Sequence, residues 1–321
     1  MAAPRSSPLL LAALVALSAA ACKTAPKPAQ KVGSARGQAV ALSLSPDGRL
    51  LALASLEDPI HARVEVWDLA EGRPRWSAAV PEGDLPSVLL FPASGGLLVG
   101  LRRPSSRETW HAFWKLGADG HPVGRCAAPS PHQPGPRWGQ VRGVESIAEL
   151  SDGRVATGGA DDSLAIWNTD SCSVEWPKGE ACCVADSTVR VAAAPGGGLF
   201  TVGEVRWIDE EKGSEPLGPR RWQGPPWRVE PVSPGTSSWT ALAGAPSSGG
   251  AAPSAVASDG SCEVVRQDPR VVVRLPSGQA LATQIPEGRA SFVAVSAGCD
   301  VVAAVLDDGI FLCRKGECFA R

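Results

Sequence analysis

Residues 149–168, ELSDGRVATGGADDSLAIWN, give the clearest indication of the fold. An apolar run leads into Asp152-Gly153, a second short run follows, and Leu164 and Ile166 then alternate with other residues up to Trp167. An Asp-Gly pair supplies the positive φ angle that a tight hairpin turn needs. Apolar residues at every second position are typical of a half-buried strand. The stretch therefore predicts short antiparallel strands joined by tight turns.

The same pattern recurs about every 40 residues along the chain. Residues 42–55 are strand, turn and strand around Asp47-Gly48, and residues 63–69 are the next strand. No segment after the first 21 residues keeps a helical apolar period for three turns. The chain is thus predicted to be all-β with about six repeated units, or seven if one lies between Trp222 and Gly250. Weaker copies of the unit occur at 112–120, 205–213, 255–265 and 292–312.

This unit resembles a WD40 repeat, with Trp167-Asn168 and Trp67-Asp68 in the place of the Trp-Asp pair. The resemblance implies one closed β-propeller of four-stranded blades over residues 39–321. It also implies that the final blade takes a strand from the segment just after the N-terminal tether. The family's Gly-His pair occurs only at Gly120-His121, so its Asp–His–Ser–Trp network cannot be general here. A β-sandwich or a two-domain chain is the alternative. The tryptophans expected in the core at the WD-strand position are Trp67, Trp114, Trp167 and Trp207.

The first 21 residues predict an export signal. Arg5 precedes the apolar run Leu9–Ala21, whose thirteen residues reach only about 20 Å as a helix, short of a hydrocarbon core of about 30 Å. Such a run ending in small residues is typical of a signal peptide. The end of the run, Ala19-Ala20-Ala21-Cys22, resembles a bacterial lipobox, which implies lipidation of Cys22. Plain secretion after the same Ala-x-Ala sequence and a retained anchor are the alternatives, because Ala19 stands where lipoboxes favour Leu.

Residues 22–38 are rich in Pro, Ala and Lys and lack hydrophobic periodicity, so we expect a flexible tether. A polyproline-like chain of this length holds a domain about 40–50 Å from the membrane surface. Lys23 follows the cysteine in place of an Asp that marks inner-membrane retention in enteric bacteria. We therefore expect an outer-membrane lipoprotein of the cell envelope, facing the periplasm or the surface.

The chain has nine cysteines, and lipidation of Cys22 leaves an even set of eight. An even set in an exported chain predicts a framework of disulfides. Cys313 and Cys318 flank a short turn and are expected to pair, whereas Cys172 has two local partners, Cys182 or Cys183. The cysteines without an assigned partner are Cys126, Cys262 and Cys299. No spacing suits a zinc site, so no metal is expected.

One segment stands out as a candidate for partner binding, PRRWQGPPWR at residues 219–228. Arg and Trp are enriched at interface hot spots, and Pro lowers the entropy lost when a loop is ordered. A second candidate is residues 129–138, which end in Trp138. The alternative is that Trp222, Trp227 and Trp138 wedge between blades and the arginines cover them. The residues proposed to contact a partner are Arg220, Arg221, Trp222, Trp227 and Arg228.

The motifs of several enzyme classes are absent from the sequence. No G-x-S-x-G elbow, calcium loop or phosphate-binding glycine loop occurs, and a net charge of −2 gives no electrostatic reason to bind nucleic acid. We therefore expect a non-catalytic propeller without a cofactor, held at the membrane by its lipid anchor only, that serves as a protein-binding scaffold or recognition module in the envelope. A glycan-active propeller enzyme, with carboxylates or a His and Arg facing the central channel, is one alternative. A small-ligand sensor using that channel is another.

Overall fold

The computed structural model is nearly all β-strand, and its described residues form six four-stranded antiparallel sheets. The sheets are arranged as the blades of a propeller, which confirms the predicted fold class. The structure describes residues 27–103, 111–129, 143–159, 163–177, 187–194, 197–205, 216–231 and 254–318, except for 258, 260, 268, 269, 276, 278, 288, 289 and 308 in the last range.

The strands follow the chain in groups of four, after a first strand β1 (Gln30–Ser34) that belongs to the last blade. Blade one is β2 (Gln38–Leu44), β3 (Leu50–Leu56), β4 (Ala62–Asp68) and β5 (Arg73–Val80). Blade two is β6 (Leu85–Leu90), β7 (Leu97–Arg103), β8 (His111–Leu116) and β9 (Pro122–Ala128). Blade three is β10 (Val144–Glu149), β11 (Val155–Gly159), β12 (Leu164–Asn168) and β13 (Ser173–Glu175).

The remaining blades have the same order. Blade four is β14 (Ser187–Ala193), β15 (Leu199–Val205), β16 (Pro216–Gln223) and β17 (Arg228–Pro231). Blade five is β18 (Ser254–Val256), β19 (Glu263–Gln267), β20 (Arg270–Arg274) and β21 (Ala280–Ala282). Blade six is β22 (Ala290–Val295), β23 (Val301–Leu306) and β24 (Gly309–Arg314), with a 3-10 turn at Ala297–Cys299. The segment that could hold a seventh blade begins with β16 and β17 of blade four, and its residues 232–250 lie outside the described part of the chain.

Strand β1 closes the ring. It pairs antiparallel with β24, with Gln30 opposite Leu312 and Ser34 opposite Gly309, and so supplies the fourth strand of blade six. The outer edge of β24 is thereby covered and cannot pair with another chain. Residues 30–34 are thus a strand, contrary to the expectation of a flexible tether over 22–38. The strand is too short to show a sequence period, and contacts with blades six and one hold Val32 in place.

The Asp-Gly turns are built as the sequence predicts. In four of the blades an Asp carboxylate accepts a hydrogen bond from the backbone N–H two residues later: Asp47 from Arg49, Asp119 from His121 and Asp152 from Arg154 at 3.1 Å each, and Asp259 from Ser261 at 3.0 Å. Gly48 and Gly153 have φ angles of 66° and 81°, which other residues rarely adopt. These side chains act as local turn formers.

Hydrophobic clusters fill the spaces between neighbouring blades. Among the described residues they lie between blades one and two, two and three, three and four, five and six, and six and one. Trp167 is fully buried and contacts Phe113 edge to face, with ring centres 5.2 Å apart. Its predicted core position is confirmed. Trp67 and Trp114 are partly buried against the same kind of cluster, and Trp207 lies outside the described residues.

Three disulfides join the described cysteines. The predicted Cys313–Cys318 pair is confirmed. Cys262–Cys299 joins blades five and six. The expected pairing of Cys172 with Cys182 or Cys183 is wrong, because Cys172 is bonded to Cys126 of blade two. The neighbouring blade brings Cys126 closer than the sequence order suggests. Cys182 and Cys183 themselves lie outside the described residues.

Candidate functional site

The two ends of the ring differ in the connections they carry. Because neighbouring strands run in opposite directions, the turns between the first and second and between the third and fourth strands of each blade meet at one end. We call this the tight-turn end, and the opposite one the long-loop end. The described residues of the first-to-second turns that define the tight-turn end are 45–49, 91–96, 150–154, 194, 197–198, 257, 259, 261–262 and 296–300.

A cavity of about 860 Å³ opens at the tight-turn end. Its walls come from the first-to-second turns of five blades, which contribute Pro46, Ser94, Asp152, Gly197 and Asp259 in chain order. The turn after β12 adds Asn168 and Asp170. The volume lies within the range of about 300–1,000 Å³ that is usual for ligand sites. Because turns of five blades surround it, the cavity lies at the centre of the ring.

The cavity has an acidic lining. Four carboxylates, Glu149, Asp152, Asp170 and Asp259, face one guanidinium, that of Arg154. Arg154 forms ion pairs with Asp152 at 2.7 Å and with Glu175 at 3.4 Å, so its charge is already matched. A concave surface of one sign concentrates ions of the opposite sign. The lining therefore favours a cationic group.

Burial and hydrogen bonds shift the pKa values of these carboxylates in opposite directions. Burial raises the pKa of Glu149, although the backbone N–H of Ala93 donates a hydrogen bond to its Oε2 at 2.7 Å and partly offsets that effect. Burial also acts to raise the pKa of Asp259, but hydrogen bonds from Ser261 and Gly298 outweigh it and the pKa is lowered. In Asp152 burial is likewise outweighed, by Arg154, and the pKa is lowered. Asp152 and Asp259 are thus ionised at neutral pH.

Hydrogen bonds between blades hold the rim of the cavity in place. The backbone N–H of Ala297 donates to the Pro46 carbonyl at 3.1 Å, which links blade six to blade one. The backbone N–H of Gly298 donates to Asp259 Oδ2 at 2.8 Å, which links blade six to blade five. The Ala93–Glu149 bond links blades two and three in the same way. The rim is therefore fixed before any ligand arrives, which lowers the entropy lost on binding.

The proposed partner segment at 219–228 is a hairpin of β16 and β17 rather than a loop. Trp222 is fully buried, and its indole N–H donates to Thr201 Oγ1 at 2.8 Å. The assignment of Trp222 to partner binding is therefore wrong, since no surface of this side chain remains for a partner to contact. Trp167 donates to Thr157 Oγ1 at the same distance. Trp222 therefore occupies the WD-strand position of blade four, the position that the sequence assigns to Trp207.

The rest of the hairpin lies at the tight-turn end, beside the cavity. Trp227 is buried, and the Arg154 guanidinium carbon lies 5.2 Å from the centre of its ring, so this residue supports the cavity wall. Arg220 and Arg221 are partly buried, whereas Arg228 and residues 223–226 are exposed. The wedge alternative fits Trp222 and Trp227, and a contact between Arg228 and a partner stays a prediction. Residues 130–138 and Cys22 lie outside the described part of the chain.

The described residues hold neither a metal-binding cluster nor a membrane-spanning helix. Within the ranges that the structure describes, no three His, Cys, Asp or Glu side chains are grouped so that they could hold a metal ion. Those ranges also contain no helix with the length and apolar character needed to cross a bilayer. The cavity carboxylates come from three hairpins, with Glu149 and Asp152 in β10–β11, Asp170 in β12–β13 and Asp259 in β18–β19, which explains why no local motif in the sequence indicated the site.

The chain matches no protein-family model. It also matches no curated protein. Among solved structures it is similar to the WD40 repeats of RRP9, with a TM-score of 0.57 and 12% identity over 91% of this chain and 99% of that one. It also resembles the Cps50 (Swd1) β-propeller domain of Myceliophteria thermophila, with a TM-score of 0.49 and 12% identity over 89% of this chain and 99% of that one. The likeness to the RRP9 repeats shows the fold alone. Together with the six four-stranded sheets, it shows that this chain has a β-propeller fold similar to that of WD40 repeats.

Proposed function

We propose that this chain is a non-catalytic, lipid-tethered propeller that binds a protein partner in the bacterial cell envelope through its tight-turn end. The fold is typical of scaffolds for protein interaction. The observation that carries the proposal is the preformed acidic cavity, whose rim is fixed by hydrogen bonds between blades. A rigid concave surface with a net negative charge suits a basic loop or terminus of another protein.

The described disulfides support an exported protein. Three pairs among the described cysteines suit an oxidising compartment such as the periplasm. The signal-like run before Cys22 supports the same location, with the lipid on Cys22 as the anchor.

The proposal is tested by exchanging charge at the mouth of the cavity. Ser94 and Asp170 are exposed and line the cavity. The double variant Ser94→Arg/Asp170→Arg removes the net negative charge of the lining without touching the bonds that hold the rim. Ile60, which is 48% exposed at the long-loop end, provides the matched control Ile60→Arg.

We expect quantitative affinity purification from crosslinked membranes to recover at least one protein with the wild type and the control variant but not with the double variant. Melting temperatures within about 2 °C of one another would show that the three proteins are equally folded. If the double variant keeps every partner of the wild type, the cavity is not the binding site.

A small cationic ligand is the second candidate, because the cavity volume is that of a ligand pocket. Spermidine serves as a probe of this function. A ligand at about 100 times its dissociation constant stabilises a protein by about 2.7 kcal/mol, which calorimetry detects. Saturable stabilisation of the wild type that is lost in the double variant would favour this candidate.

A further inference from the structure

The chain becomes fixed to the propeller almost immediately after Cys22. The backbone N–H of Lys27 donates to the Glu317 carbonyl at 2.6 Å, and that of Ala29 donates to the Gln284 carbonyl at 3.2 Å. Strand β1 then begins at Gln30. The Cys313–Cys318 disulfide closes the turn that contains Glu317. Only the segment between Cys22 and Lys27 therefore separates the proposed anchor from the first contact with the propeller, which is far less than the range 22–38 expected from composition.

This segment gives the anchor a short reach. Four residues separate Cys22 from Lys27, and five Cα–Cα steps span at most about 18 Å when fully extended. This maximum of about 18 Å is much shorter than the reach of about 40–50 Å expected for a tether over residues 22–38. The propeller cannot move far from the lipid surface if Cys22 carries the anchor.

The point of attachment lies at the tight-turn end. Strand β1 runs from there towards the long-loop end, because it is antiparallel to β24. Lys315, next to the Glu317 turn, donates through Nζ to the Gly298 carbonyl and to Asp300 Oδ1, both at 3.1 Å. Gly298 belongs to the rim of the cavity. Lys27 is thus fixed to a turn that is itself bonded to that rim.

We propose that the tight-turn end of the propeller, at blade six, faces and contacts the lipid bilayer. This inference rests on the proposed lipidation of Cys22. The occupant of this surface is the membrane to which the chain is anchored, because the segment from Cys22 to Lys27 spans at most about 18 Å, which is less than the length of a seven-residue strand, about 23 Å. The cavity then opens towards the membrane, and its partner is a protein embedded in that membrane rather than a freely diffusing one.

The charges near the attachment point are nearly balanced. Lys27 and Lys315 are exposed there together with Asp300 and Glu317. The four carboxylates at the centre of this end would be repelled by anionic lipids. The length of the tether, rather than attraction to charged lipid, therefore sets the orientation, which should persist on neutral phosphatidylcholine vesicles.

The test measures the distance of three sites from the lipid surface. The full lipidated protein is reconstituted in phosphatidylcholine vesicles that contain an acceptor dye on a headgroup. A fluorescent amino acid is placed singly at Glu317 beside the anchor, at Ala70 at the tight-turn end of blade one, or at Ile60 at the long-loop end of the same blade. All three positions are exposed. Metabolic palmitate labelling of the same samples reports whether Cys22 carries lipid.

We expect energy transfer to decrease in the order 317, 70, 60, with at least about a twofold difference between the first and the last, given a blade thickness of about 23 Å. A variant with twenty Gly and Ser residues inserted between Thr24 and Ala25 adds a flexible reach of about 25 Å and should remove the difference. Palmitate labelling with equal or greater transfer at position 60 would overturn the orientation while leaving the lipoprotein proposal intact. Absence of labelling would overturn both.

Discussion

The substitution Trp222→Ala separates the two interpretations of the Arg- and Trp-rich segment. The first, proposed from the sequence, is a surface residue, whose removal would weaken binding and leave the melting temperature nearly unchanged, and the second is a residue wedged between blades. In the structure Trp222 is fully buried and packs with Leu199, Ile166 and Trp227 between blades three and four. Removing a buried Trp side chain costs about 3–5 kcal/mol. For a domain of this size, that is a fall in melting temperature of about 6–15 °C.

Two further variants measure how much of that free energy comes from the hydrogen bond between Trp222 and Thr201. Thr201→Val keeps the shape of the side chain but leaves the buried indole N–H of Trp222 without its acceptor, which costs about 1–3 kcal/mol. Trp222→Phe removes the donor and part of the ring. The double variant Thr201→Val/Trp222→Phe should cost less than the sum of the two, since the bond is then lost only once. Urea unfolding measures all four free energies.

Arg228, an exposed residue of the same hairpin, provides the control for Trp222→Ala. We expect Arg228→Ala to change the melting temperature by less than about 2 °C, because surface substitutions usually stay within about 0.5 kcal/mol. If Trp222→Ala unfolds at the same temperature as Arg228→Ala and instead loses the partner, the burial argument is refuted.

Two other variants test the interior. Glu263 is 4% exposed with neither carboxylate oxygen hydrogen-bonded, and burial raises its pKa from 4.5 to about 7. The stability supplied by the protonated form of Glu263 is present below pH 4.5 and is lost as the pH rises through 7. We therefore expect Glu263→Gln to stabilise the protein by about 3 kcal/mol at pH 8 and to have little effect at pH 4.5, as measured by urea unfolding. Equal effects of the substitution at both pH values would contradict the raised pKa. At Gly33 a Cβ atom would lie 2.7 Å from the Trp67 ring, so Gly33→Ala should lower stability by about 1–3 kcal/mol. Gln30→Ala, at an exposed position of the same strand, is its control in thermal unfolding, and equal melting temperatures would argue against ring closure by β1.

Local features were the ones that could be predicted from the sequence. The Asp-Gly turns need only a positive φ at Gly48 or Gly153 and a carboxylate that accepts the N–H two residues later. The alternating strand before Trp167 likewise depends on its own residues. Both signals lie within a few positions of the chain, so the repeat and the propeller fold could be inferred.

Features that depend on neighbouring blades could not be predicted. Cys126 and Cys172 belong to different blades and meet only when the two pack together. The sequence around Trp222 is typical of a loop. The pairing of β16 with β15 places Trp222 opposite Leu199, two residues before Thr201 on the neighbouring strand. The cavity has the same origin, because Glu149 and Asp259 are far apart in sequence and come together only when the ring closes. No short motif encodes such a site.

Photocrosslinking in intact cells measures directly whether the tight-turn end binds the partner. The photoreactive residue benzoylphenylalanine is placed at Ser94 on the rim of the cavity, or at Ile60 at the opposite end, each exposed in the structure. Adducts are then identified by mass spectrometry. If the tight-turn end binds the partner, position 94 gives a discrete adduct with a membrane protein, Asp170→Arg abolishes it, and position 60 gives none. An adduct with the same protein from position 60 and none from position 94 would contradict the account.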